Sequence, residues 1–121
     1  MGNVIKRNSV FVEAEVLLNN SASKAGDSLA VFKFEDKWVT RDTQGKCWRM
    51  LISILRNEHF FKVKKQYSMS DIIYYLMNRN PDYQTVLWET LEKAVNTTFA
   101  ELQKYGYGIE DIYKYISQNL I

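Results

Sequence analysis

A chain of 121 residues with 46% hydrophobic and 14% aromatic content has room for one domain with a proper core, and not for two. Sixteen basic against fourteen acidic side chains leave a net charge of +2, too small to demand a polyanionic partner. One cysteine excludes an internal disulfide framework, one histidine leaves little for metal chemistry, and one proline with five glycines excludes collagen-like or linker-like character.

The amino terminus, Met1 to Arg7, has no apolar stretch after its charges, so a signal peptide is not expected. No apolar run approaches the roughly 18 residues that a membrane span needs. The expected setting is the cytoplasm, with no membrane partner. From Ser9 to Leu18 the pattern has period two: Val10, Val12, Ala14, Val16 and Leu18 alternate with Phe11, Glu13, Glu15 and Leu17. That alternation, rich in β-branched residues, predicts a strand. Residues 19–27 are small and polar with Gly26 as a breaker, hence a loop. Two short strands at 28–34 and 37–41 flank Glu35-Asp36 and predict a hairpin, although not of the Asn-Gly type.

Between Asp42 and Asn57 the period changes. Lys46, Arg49, Ser53 and Arg56 recur at spacings of three and four among mostly apolar residues. A narrow polar stripe on an apolar cylinder predicts one buried helix near 43–57, capped by Asp42 or Thr43. A buried strand competes, because Trp48, Met50, Ile52 and Ile54 also alternate. Residues 60–67 then predict a strand. Ser68-Met69-Ser70-Asp71 has the spacing of a capping box and opens a helix to about residue 79. Asn80-Pro81-Asp82 starts another, whose stripe Tyr83, Leu87, Leu91, Ala94, Thr98 and Leu102 runs to about 105, with Gly106 as its terminator. A last helix is predicted at 109–119, with Glu110 and Asp111 in its first turn.

The fold class that follows is α+β in a single domain, 1–121. An N-terminal antiparallel β-rich half, about residues 9–67 and including the helix near 43–57, packs against three C-terminal helices at about 69–79, 81–105 and 109–119. Net charge hides an asymmetry. Residues 1–67 hold twelve basic and seven acidic side chains, hence +5, and residues 68–121 hold four and seven, hence −3.

Three functional readings compete. The first is a small non-enzymatic interaction protein, of the regulator, inhibitor or immunity type found in phages and mobile elements. Its eight tyrosines, six phenylalanines and three tryptophans exceed what so small a core needs. Tyr74 and Tyr75 are adjacent on one helix, so both cannot face inward. Aromatics on helix surfaces are enriched in interfaces, which makes Tyr75, Trp88, Tyr107, Tyr113 and Tyr115 the candidate contacts for a protein partner or a second copy. The second reading is nucleic-acid binding by the basic β half. Lys62 and Lys64 would share one strand face with Phe61, Val63 and Tyr67 on the other, and Lys65 and Lys33 would extend the patch. An edge strand guarded by lysines explains the same residues. The third is a metal-dependent nuclease built on Glu35 and Lys37 with Glu13, Glu15 or Asp27 upstream. Acid-x-Lys triplets are frequent by chance. His59 and Cys47 lie in no catalytic motif, and no cofactor, metal ligand set or catalytic residue is assigned.

Overall fold

A computed structural model describes residues 2–20, 23–41, 46–102 and 108–119, with Trp48 described by its backbone alone. Strands β1 (Ser9–Val16), β2 (Ser28–Phe34), β3 (Lys37–Arg41), β4 (Cys47–Arg49) and β5 (Phe61–Ser68) form one sheet in the order β4-β3-β2-β1-β5. Every neighbouring pair is antiparallel. The helices are α1 (Ile52–Leu55), α2 (Met69–Arg79), α3 (Trp88–Ala100) and α4 (Ile109–Asn119). Strands thus come first and long helices second, as the α+β expectation has it.

The period-two pattern of β1 has two inward faces rather than one. Phe11 enters a cluster with Ala30, Phe32 and the inner faces of α2, α3 and α4, among them Ile72, Leu76, Leu91, Phe99, Ile112 and Ile116. Val12, Ala14 and Val16 point the other way, into a second cluster with Leu29, Val31, Phe61, Met50, Leu55 and Ile5. The pairings Phe11 with Phe32 and Val12 with Val31 keep each set on its own face. A sheet covered on both sides needs apolar residues at nearly every central position, which β1 and β2 supply.

The cover on the second face is thin and corrects the predicted helix near 43–57. Cys47–Arg49 instead adds to β3 as an edge strand, and the Met50 amide donates to the Trp38 carbonyl at 2.8 Å. Extended backbone at Leu51 (φ −73°, ψ 134°) then starts a single helical turn, α1, that presses Leu55 onto the sheet. The segment is apolar because it roofs a sheet face, and the three-and-four spacing of its polar residues is coincidental. The expected caps Asp42 and Thr43 lie outside the described residues. Residues 2–6 complete the roof. Asn3 donates from its side-chain nitrogen to the Leu55 and Phe61 carbonyls, and its Oδ1 accepts from the Val63 amide. This amide side chain supplies β5 with hydrogen bonds along the edge that no neighbouring strand provides.

The hairpin is built on Glu35 (φ 51°) and Asp36 (φ 65°), both left-handed, as a two-residue turn matching the strand twist requires. The capping box forms as predicted: Ser68 Oγ accepts from the Asp71 amide while Asp71 Oδ2 accepts from the Ser68 amide. The helix expected over 81–105 is corrected to a 3₁₀ turn at Pro81–Thr85, an extended break at Val86, and α3. Thr85 Oγ1 donates to the Asp82 carbonyl, and the Val86 amide donates to Tyr83 rather than to Asp82. The break turns Leu87, placed inward by the periodicity, out to 74% exposure. Gly106 lies outside the described residues.

Candidate functional site

The tyrosines nominated by the sequence mostly join α2 to α4. Tyr75 donates its hydroxyl to Glu110 Oε2, and Arg79 reaches the same carboxylate with Nη2 to Oε1 at 2.6 Å and Nε to Oε2 at 3.3 Å. The Arg79 guanidinium carbon also sits 4.9 Å from the centre of the Tyr113 ring, which leans on Tyr83 at 6.2 Å. Tyr83 shares a 2.9 Å hydrogen bond with Ser117. The hydrogen bonds from Arg79 and then Tyr75 hold the Glu110 carboxyl down at about 2. Burial, followed by the bond to Glu110, raises the Tyr75 phenol. Tyr115 is buried at 7% exposure, so it offers little surface in the folded chain. Tyr75 and Tyr113 are half-buried in this seam, and Tyr107 lies outside the described residues.

The amino end of α4 is fixed from across the molecule. Glu13 Oε1 on β1 accepts from the Ile109 amide at 3.2 Å, and Asp111 Oδ2 accepts from the Gly108 amide at 3.0 Å. A Cβ on Gly108 would lie 3.1 Å from Glu13 Oε1, so the close approach favours glycine. Burial first, and the Glu13 charge second, push the nearby Tyr67 phenol up to about 12.

What remains open on the helical layer is a ridge where α2 meets α3. Tyr74 is 57% exposed and Leu87 74% exposed. Half-buried Trp88 meets Tyr74 edge to face, with centroids 5.5 Å apart and planes at 73°. The Trp88 indole nitrogen donates to Glu92 Oε1 at 2.6 Å, so its polar edge is satisfied while its apolar body faces Tyr74. Of the sequence candidates among the described residues, Trp88 alone belongs to this ridge. Tyr74, rather than Tyr75, is its outward partner. Spacing carried that signal: Asp71 and Asn78, three before and four after Tyr74, are exposed, whereas Ile72, three before Tyr75, is buried. Leu87 had no such signal, because the break at Val86 is what exposes it.

Beside the ridge runs an open groove of about 480 Å³ between α3 and the end of β2, lined by Phe34, Glu89, Glu92, Lys93, Asn96, Thr97 and Ala100. Glu35 and Asp36 follow Phe34 directly and are exposed. Residues 69–100 hold four acids, Asp71, Asp82, Glu89 and Glu92, against two bases, one of them the Arg79 paired with Glu110. The ridge therefore has an acidic surround.

The lysines are distributed differently from the sequence expectation. Lys62, Lys64 and Lys65 are exposed on the edge strand β5, but Lys33 continues the face of Val31 on β2, two strands away. Lys64 pairs with Glu15 at 3.2 Å, and Lys65 lies opposite Glu13 in the register. A register irregularity in the β1–β5 ladder, between Glu13 and Ala14, breaks the alternation. Phe61 and Val63 face the roof while Tyr67 joins the helical core, so no single aromatic face backs the lysines. The acids of the nuclease reading are also dispersed. Glu13 pairs opposite Ala30, and Glu35 lies five positions further along the chain, roughly 15 Å away at strand spacing. Among the described residues no three His, Cys, Asp or Glu side chains gather as a metal site. His59 is exposed in the turn before β5, and Cys47 is half-buried on β4. No helix among the described residues is long and apolar enough to cross a membrane.

No family model matches this chain, and neither a curated protein nor a solved structure matches it.

Proposed function

We propose that this chain is a small interaction protein of the cytoplasm, a regulator or inhibitor rather than an enzyme, that binds a protein partner through the ridge Tyr74–Leu87–Trp88. The observation that supports it most directly is the exposure of Tyr74 and Leu87 beside a tryptophan whose only polar atom is already bonded. Rigid aromatic area is what interface hot spots are made of. The acids around it, Asp71, Glu89 and Glu92, select a partner with basic residues next to its apolar anchors. The nucleic-acid alternative has less support, because Lys64 pairs with the Glu15 carboxylate and Lys65 lies opposite Glu13 in the register.

Affinity capture from the source cell tests the reading. The double substitution Tyr74→Ser, Leu87→Ser removes two mostly exposed side chains, with the Tyr74 ring contact to Trp88, and is expected to leave circular dichroism unchanged. It should weaken capture on the order of tenfold or more. Equal capture by the parent and the double variant overturns the proposal.

A further inference from the structure

The seven most exposed large apolar side chains among the described residues belong to two regions, the helical layer and the segments on the roof side of the sheet. Tyr74 and Leu87 form the acidic ridge on the helical layer. Val4, Leu51, Ile54 and Phe60 are chain neighbours of the buried Ile5, Met50, Leu55 and Phe61 of the roof-side cluster, and Leu18 follows the end of β1. The roof's parts are tied together: the Asn3 amide donates to the Arg56 carbonyl at 2.8 Å, and the Leu17 amide to the Phe60 carbonyl at 2.8 Å. Residues 2–7 and 50–60 carry Lys6, Arg7 and Arg56 against the single acid Glu58, and all three bases are exposed.

One face is thus apolar with a basic surround, and the face across the sheet is apolar with an acidic one. We infer that the ridge of one copy docks on the roof of a second copy, Tyr74 and Leu87 against Leu51, Ile54 and Phe60, with Asp71, Glu89 and Glu92 facing Lys6 and Arg56. The inference rests on the ridge being a protein-binding surface and names its occupant as another molecule of this chain. Complementary charge around two apolar patches both steers the encounter and fixes its orientation. Because the two patches differ and lie on opposite faces, the contact is head-to-tail, and each bound pair leaves one ridge and one roof free.

Sedimentation velocity on three purified forms decides it: the parent chain, a ridge variant (Tyr74→Ser, Leu87→Ser) and a roof variant (Ile54→Ser, Arg56→Glu). A second roof variant, Lys6→Glu with Arg56→Glu, leaves every apolar side chain in place and guards against misfolding of the first. The expected result is a parent whose average sedimentation coefficient climbs with concentration and falls back at high salt, since exposed charges are screened within about a Debye length. Each variant alone stays monomeric. The ridge variant mixed one-to-one with either roof variant forms dimers and nothing larger, because each molecule keeps one working face. A parent that stays monomeric at all concentrations overturns self-association while leaving the ridge free for a different protein. A parent that associates, with mixed variants that do not, overturns the head-to-tail geometry. A ridge variant that associates as the parent does overturns the ridge as a binding surface.

Discussion

Glu110 is the residue on which the contact between α2 and α4 turns. It takes hydrogen bonds from Tyr75 and Arg79, and Arg79 in turn lies over Tyr113. The bond to Arg79 and then that to Tyr75 stabilise the carboxylate, lowering its pKa from 4.5 to about 2. The folded chain therefore binds fewer protons at this site than the unfolded one across that window. Stability contributed by Glu110 is present above about pH 4.5 and is lost as the pH falls through about 2. The pair is half-exposed, which keeps the contribution modest. Urea midpoints of the parent and of Glu110→Gln should differ at neutral pH, with the parent higher, and converge toward pH 2. A gap of the same size at both ends would mean that the side chain's shape, and not its charge, is what matters.

The single turn α1 does for the second face of the sheet what three helices do for the first. Leu55 is fully buried there, while its neighbour Ile54 is 39% exposed. Leu55→Ala should cost about 2–5 kcal/mol, since the rigid sheet beneath it cannot collapse into the space. Ile54→Ala should stay within about 0.5 kcal/mol in dilute solution, as exposed substitutions do. Denaturant titration of the two variants checks this, and comparable losses at both positions would restore the largely buried helix that the spacing of Lys46, Arg49, Ser53 and Arg56 suggests. The strands at 28–34 and 37–41 were legible from the polar pair Glu35-Asp36 between two apolar runs, the helix at 69–79 from its caps Ser68 and Asn80, and the helix at 109–119 from its single buried face. Residues 46–57 were not, because roofing a sheet requires apolar side chains without a period. The ridge was half legible. The polar neighbours of Tyr74 marked it as outward, but the exposure of Leu87 follows from the break at Val86, where the backbone turns extended and the Val86 amide bonds the Tyr83 carbonyl. No pattern of hydrophobicity records that bond.

At the scale of the whole molecule the two cores are unequal partners of one sheet. Among the described residues, the helical side buries Phe11, Ala30 and Phe32 under thirteen side chains from α2, α3, α4 and the segments joining them. On the roof side, among the described residues, the sheet's own Val12, Ala14, Val16, Leu29, Val31 and Phe61 meet three buried side chains from the roof, Ile5, Met50 and Leu55. Burying one such side chain contributes about 1.5–3 kcal/mol, and ordering each residue of the roof's irregular backbone costs about 1–2. The roof is thus held by less than the rest of the molecule, and it should open without the sheet unfolding. Hydrogen exchange followed by mass spectrometry checks this. Amides of residues 50–57 should exchange about tenfold or more faster than those of β1 and β2. Their rates should also respond weakly to added urea, because a local opening exposes little surface. The β1 and β2 amides should show the steep urea dependence of global unfolding. If residues 50–57 instead match β2 in both rate and slope, the sheet and both its covers come apart as one cooperative unit. Leu55 would then be as central to the fold as Phe11.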